Sequence, residues 1–212
     1  MSEKQYAFYF DSSACTGCKA CQIACKDKHD LDVGVNWRRV YEVAGGNWVK
    51  NGKSYVNNVF SYYMSLACNH CENPLCVDVC PTQALYKQDD GIVLIDQDKC
   101  IGCRYCEWAC PYGAPQFQEE AGRMSKCTLC NDYLDAGKPP ACVASCPSRA
   151  LDFGTVEELE TKYGKIGEIQ EVAEIYPLPD AAVTEPALIV KPHRDAIRTA
   201  NEPAIIANTE EL

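Results

Sequence analysis

Residues 100–111 read CIGCRYCEWACP, which sets Cys100, Cys103, Cys106 and Cys110 within one short run closed by Pro111. Similar crowding recurs three times. CTGCKACQIAC carries Cys15, Cys18, Cys21 and Cys25, and CNHCENPLCVDVCP carries Cys68, Cys71, Cys76 and Cys80. CTLC and CVASCP together carry Cys127, Cys130, Cys142 and Cys146, so the four groups use all 16 cysteines. A disulfide framework does not suit thiols repeated every third residue, because most such bridges would be strained. A structural zinc site draws two close pairs from separate loops; group four alone fits that pattern, and groups one and three do not. The run C-x2-C-x2-C-x3-C-P is instead the ligation pattern of bacterial ferredoxins, in which the fourth cysteine serves a second cluster.

The spacing has a physical basis. A tight loop with a thiolate every third residue reaches three corners of a [4Fe–4S] cube, and its turns aim backbone N–H groups at the anionic core. Gly17, Ala20, Gly102 and Ala109 keep side-chain bulk away from the approach. Pro81, Pro111 and Pro147 close three of the groups, whereas group one continues into Lys26. Exchange of fourth cysteines makes the groups pair, so four groups imply two modules and four [4Fe–4S] clusters.

Composition supports cofactor-assisted folding. Only 5 Phe, 3 Trp and 3 Met serve 212 residues, which is a thin apolar core. Metal binding then supplies folding free energy, and the metal-free chain is expected to be largely unfolded. The net charge of −10 offers no basic stripe, which argues against nucleic acid and against anionic lipid. No run approaches the 18 apolar residues of a membrane helix, and MSEKQYAFYFDSS has no basic and apolar export signal. The chain is therefore expected neither to span a membrane nor to export itself.

Along the chain, 5–10 read as a strand and 21–30 and 106–109 as short helices. Residues 36–63 alternate around the glycine turn AGGNW and predict a hairpin or small sheet. TQALYKQDDGIVLIDQDKC links groups two and three as the middle of one ferredoxin module, and SRALDFG after group four echoes TQALYK, an internal repeat. Groups one and four then form the other module. The fold class expected is α+β: two bacterial-ferredoxin-like two-cluster modules with an inserted small β region and an extended C-terminal tail. The divisions are 1–35 plus 116–175 for the module with clusters 1 and 2, 60–115 for clusters 3 and 4, 36–59 for the β insertion and 176–212 for the tail. TVEELETKYGKIGEIQ, 155–170, predicts a surface helix capped by Thr155 and Glu158. The Pro-rich tail has little core of its own; it is either disordered or an arm that wraps a partner subunit.

With these motifs placed, the chain resembles the iron–sulfur electron-transfer subunits of the dimethyl sulfoxide reductase family of molybdenum and tungsten enzymes. The resemblance rests on DSSACTGCKACQIACKD, RRVYEVAGGNW, CNHCENPLCVDVCP, CIGCRYCEWACPYGAPQ, CPSRALDFG and IVKP. It is nearer the dimethyl sulfoxide reductase type than the nitrate reductase or formate dehydrogenase types. The resemblance implies a ligand set. Cys15, Cys18, Cys21 and Cys146 hold cluster 1, and Cys25, Cys127, Cys130 and Cys142 hold cluster 2. Cys68, Cys71, Cys76 and Cys110 hold cluster 3, and Cys80, Cys100, Cys103 and Cys106 hold cluster 4. It also implies two partners: a molybdenum/tungsten bis-pterin catalytic subunit and an integral-membrane, quinol-oxidising anchor. Location would be the periplasmic or outer face, through co-export with the catalytic subunit, with the cytoplasmic face as the alternative.

Nothing in the chain suggests substrate chemistry, so the expectation is a non-catalytic subunit. A free soluble polyferredoxin is the competing reading; the tail and the β insertion favour the complex, because a free carrier needs neither. His70 is expected to tune its cluster by hydrogen bonding rather than to ligate it. Arg104 either raises the potential of cluster 4 or is a salt-bridged surface residue. Arg38 and Arg39 are placed on a solvated face, His29 and His193 on the surface, and Trp37, Trp48 and Trp108 in packing roles.

Overall fold

YAFYFD is rich in aromatic residues of high strand preference, and it forms strand β1, Tyr6–Asp11, buried on both faces. The computed structural model describes residues 4–164, 175–196 and 204–212. β1 is central in a three-stranded sheet, antiparallel to β10, Leu151–Thr155, and parallel to β11, Leu188–Lys191. Its two faces have different work. Ala7 and Tyr9 pack with Leu159, Ala187 and Ile189, while Phe8 and Phe10 face the larger core that contains Cys21, Cys25, Cys127, Cys142 and Cys146.

The small helices sit where the cysteine loops end. α1 spans Ala20–Lys28, α2 Leu75–Asp78, α3 Tyr105–Ala109, α4 Asn131–Asp135 and α5 Ala141–Ala144. α1 packs on α5 and α2 packs on α3. A hairpin of β6, Leu85–Lys87, and β7, Val93–Ile95, joins groups two and three as the linker predicts. A further hairpin of β8, Gln116–Gln118, and β9, Arg123–Ser125, packs Met124 and Phe117 against Leu85, Val93 and Cys106. Residues 116–125 thus pack with the body expected to end at 115.

The sheet expected over 36–63 forms. β2, Arg39–Gly45, pairs antiparallel with β5, Phe60–Leu66, and between them β3, Trp48–Asn51, pairs with β4, Ser54–Asn57. The insertion therefore runs to Leu66 rather than 59. Helix α6, Val156–Tyr163, starts with the predicted capping box: Thr155 Oγ1 accepts from the Glu158 N–H, and the Glu158 carboxylate accepts from the Thr155 N–H. The rest of the expected helix, 165–170, lies outside the described residues.

The reading of 176–212 as an extended tail with little core of its own is corrected. β11 docks on the edge of β1, with Ile189 and Val190 buried, and β12, Ala204–Ile206, adds to the edge of β2. The reason is local: Leu188–Lys191 is an apolar, β-branched run that fits an open sheet edge, although Pro186 and Pro192 bracket it. The described part of the tail wraps its own chain. No helix among the described residues is long and apolar enough to cross a membrane.

Candidate metal centres

The cysteine loops share one backbone solution. In CTGCKAC, Gly17 and Lys19 take φ of 68° and 59°; in CIGCRYC, Gly102 and Arg104 take 68° and 66°. Left-handed residues at alternate positions curl the loop so that successive N–H groups face inward, a concavity suited to an anion. A Cβ at Gly102 would strike the Gly122 carbonyl, so the loop needs glycine there. A second pair repeats too. CVDVCPTQAL and CVASCPSRAL put Gln83 and Arg149 at the same φ of 53°. Each places a hydroxyl 3.7 Å from the last thiol, Thr82 beside Cys80 and Ser148 beside Cys146. Backbone N–H groups also donate to sulfur, from Ala84 to Cys80 at 3.2 Å and from Leu129 to Cys127 at 3.3 Å.

The structure gathers thiols from distant loops. Cys15 lies within electrostatic reach of Cys21, Cys146 and Cys18. Cys25 feels Cys142 and Cys130, and Cys127 feels Cys25 and Cys142. Cys76 feels Cys68, Cys110 and Cys71, and Cys106 feels Cys100 and Cys103. Cys80 shares a small core with Cys100 and Cys106. The groups also adjoin one another: Cys21 feels Cys142, and Cys127 feels Cys68. Burial pushes the Cys15, Cys71 and Cys106 thiols up to about 11 and Cys25 up to about 12. At Cys80 and Cys146 burial acts in the same sense, but N–H and hydroxyl donors outweigh it and the net shift is downward. Metal ligation needs thiolates, so assembly must expel protons.

The buried charges explain what these thiols face. The buried polar residues include Arg38 and Lys126 and, among the described residues, no Asp or Glu. Arg38 is 2% exposed. Its Nη1 donates to Ser65 O at 3.3 Å and Oγ at 3.2 Å, its guanidinium lies over the Phe8 ring, and its Nε and Nη2 have no hydrogen-bond partner among the described residues. Burial disfavours its charge, yet Cys142, Cys21, Cys127 and Cys25 around it shift the balance upward. The solvated-face reading of Arg38 is therefore wrong. Arg39 also turns inward, donating to the carbonyls of Tyr112 at 2.8 Å and Gly113 at 3.0 Å. Lys126 Nζ donates to the Val93 carbonyl and to Cys127 O at 3.0 Å, beside Cys76. Two buried cations without carboxylate partners are very costly unless an anion fills the space between the thiols.

His70 is fully buried, and its Nδ1 accepts from the Val93 N–H at 3.0 Å. The proton then sits on Nε2, which has no partner among the described residues. Burial, followed by the Lys126 charge, holds its pKa well below the usual value, so the ring is neutral. Arg104 is the salt-bridged surface residue: its Nε donates to Glu107 at 2.7 Å and the side chain is 46% exposed. Its charge is compensated locally, so the tuning role expected for Arg104 is not what this geometry favours. His29 is more than a surface residue, with Nε2 3.4 Å from Cys130 Sγ and its ring against Trp37. Trp37 is buried, but Trp48 and Trp108 are exposed and pack little. Arg38 stands two positions before buried Val40 in an alternating stretch, and that period was the signal for its inward aim.

Among the described residues, no three Cys, His, Asp or Glu side chains converge closely enough to hold a single ion. Sets of thiols spread around a larger space and facing cations and inward N–H groups suit a polynuclear, anionic centre. The comparisons agree. A family profile described as "4Fe-4S dicluster domain" matches residues 59–156, and one described as "4Fe-4S binding domain" matches residues 12–34. The sequence is 50% identical over 208 residues to the B subunit of anaerobic dimethyl sulfoxide reductase of Escherichia coli (strain K12), covering 98% of each. It is 47% identical over 210 residues to the corresponding B subunit of Haemophilus influenzae, covering 99% of this protein and 100% of the other. The thiosulfate reductase electron transfer subunit PhsB of Salmonella typhi is 39% identical over 157 residues, covering 74% of this protein and 79% of the other. With its whole length matched and its thiols gathered around buried cations, this protein belongs to the family of B subunits of anaerobic dimethyl sulfoxide reductases, iron–sulfur proteins of electron transport.

Proposed function

We propose that this chain is the non-catalytic electron-transfer subunit of a dimethyl sulfoxide reductase-like complex and holds four [4Fe–4S] clusters. The clusters supply one-electron transfer. The ligand sets are Cys15, Cys18, Cys21 and Cys146; Cys25, Cys127, Cys130 and Cys142; Cys68, Cys71, Cys76 and Cys110; and Cys80, Cys100, Cys103 and Cys106. The observation that carries this reading is the pairing of the thiol sets with buried cations that have no buried carboxylate partner among the described residues. Adjacent sets share elements: α1 carries Cys21 and Cys25, α2 carries Cys76 with Cys80 just after it, and α3 carries Cys106 and is capped by Cys110. These elements join the first set to the second and the third to the fourth, and Cys127 of the second set neighbours Cys68 of the third, an order that suits a relay across the protein.

The partners of such a relay are a molybdopterin or tungstopterin catalytic subunit and a membrane anchor that oxidises quinol. The complex would sit at the membrane through that anchor, on the periplasmic face by co-export with the catalytic subunit. Large exposed apolar residues support assembly into a complex: Trp48, Val49, Tyr55 and Val56 on the β3–β4 hairpin, and Ile101, Tyr105 and Trp108 beside the fourth set. The tail does not argue against a free polyferredoxin, since its described strands complete the protein's own sheets. The likeness to a reductase B subunit over 98% of the sequence carries that argument instead.

The test is anaerobic purification from its host followed by metal and subunit analysis. About 16 irons per chain, four for each cluster, are expected together with a co-purifying pterin-containing subunit. An iron count near 8, or a folded chain with zinc in place of iron, would sink the four-cluster reading.

A further inference from the structure

Arg38 has served so far only as an uncompensated buried charge, and its placement is unusual. It lies on the segment that leads into β2, yet its side chain is enclosed among Cys142, Cys21, Cys127 and Cys25. Three of these thiols belong to the second set and Cys21 to the first. No acidic side chain appears among the buried residues described, so no carboxylate neutralises the guanidinium from within the core. One edge is anchored: Nη1 donates to Ser65, whose hydroxyl also lies 3.4 Å from Cys21 Sγ. The Phe8 ring, 4.6 Å from the guanidinium carbon, fixes its plane. The other edge, Nε and Nη2, is buried with no partner among the described residues. An arginine fork held on one side and unsatisfied on the other is built to meet an acceptor.

Resting on the four-cluster reading above, we infer that Arg38 is the shared counter-charge of the first two clusters and the hydrogen-bond donor to the second. A fixed cation beside a cluster stabilises the reduced form, because reduction adds negative charge. Hydrogen bonds to the sulfurs act in the same direction. Arg38 therefore holds the potential of the second cluster up, and that of the first by less, while the third and fourth are set by other groups. Arg38 is a positioning and tuning residue: it adjusts how readily neighbouring centres accept an electron.

The experiment uses the iron-loaded full chain with the subunits that accompany it, purified without oxygen. Iron is counted first, and the reduction of each cluster is then followed by EPR at fixed potentials. A Cys142→Ser variant marks the signal of the second cluster. Arg38→Gln is expected to keep about 16 irons. At the wild-type midpoint of the second cluster, its reduced-to-oxidised ratio should fall at least tenfold, about 59 mV for a one-electron couple. The first cluster moves the same way by less, and the remaining two stay within about twofold. Arg38→Lys keeps the charge but loses the fork, so its ratio falls between, by about threefold. Should Arg38→Gln fail to assemble, Arg38→Lys decides the matter alone. Unchanged ratios in whichever variants retain iron overturn the role of Arg38. A wild-type protein with far fewer irons overturns the four-cluster reading instead.

Discussion

At the scale of the residue, the decisive groups are cations in the core. A buried Arg or Lys without a carboxylate is too costly to persist unless another anion is enclosed with it. Lys126 makes this testable apart from Arg38, because its neighbours are Cys76 and the Val93 and Cys127 carbonyls. A unit charge about 10 Å away at an effective dielectric near 20 is worth on the order of 1–2 kcal/mol. Lys126→Met is thus expected to make the cluster on Cys68, Cys71, Cys76 and Cys110 about tenfold harder to reduce at its wild-type midpoint. EPR at fixed potential reads this directly, and an unchanged ratio with full iron would show that Lys126 serves packing alone. Arg104 offers the contrast. Its partner Glu107 cancels its charge at the surface, so Arg104→Gln should leave every cluster's ratio within about twofold.

At the scale of the element, two pieces at the C-terminal side of the chain carry distinct loads. Helix α6 is short, and its start depends on the reciprocal hydrogen bonds of Thr155 and Glu158. Thr155→Ala should cost about 1 kcal/mol and appear as faster amide exchange across 156–163, with little effect on iron content. Its last turn is tied to the sheet, since Tyr163 stacks on Tyr9 and Lys162 pairs with Asp152 at 2.6 Å. Strand β11 matters more. Val190 is 1% exposed and lies beside Phe10, which faces the thiol-bearing core. Val190→Asp places a charge there without a partner and should cost about 3 kcal/mol or more. The measurable result is a chain that loses iron or unfolds at much lower denaturant. A Val190→Asp protein with wild-type stability would show that the described tail is ornamental.

At the scale of the whole molecule, stability and cofactor content are one quantity. The apolar core is interrupted by thiols wherever segments meet: Cys21, Cys25, Cys127, Cys142 and Cys146 sit among Phe8, Phe10, Val40 and Leu66. Without metal, burial pushes the Cys21, Cys25 and Cys127 thiols upward, toward the protonated form, and Arg38 and Lys126 are left uncompensated. Removing iron with a chelator under reducing conditions should therefore abolish cooperative unfolding and most far-ultraviolet circular dichroism together. A metal-free chain that keeps a sharp thermal transition would contradict this account.

The sequence alone determined the chemistry. Groups one and three, at ferredoxin spacing, specify the cluster class, because a tight loop with a thiolate every third residue reaches three corners of a cube, and groups two and four supply the cysteines they pair with. It also determined the local devices, namely the capping box of α6, the β6–β7 hairpin and strand β1, since each depends on neighbours in the chain. What only the tertiary structure decided is everything set by distant partners. The tail's LIVK became a core strand because β1 left one edge open. The RR of NWRRVYEV pointed inward because thiols surround Arg38 and the Tyr112 and Gly113 carbonyls receive Arg39. Residues 116–125 joined the body before them rather than the one after. Such outcomes depend on which surfaces meet, and a linear pattern records a residue's own preference without recording who will stand opposite.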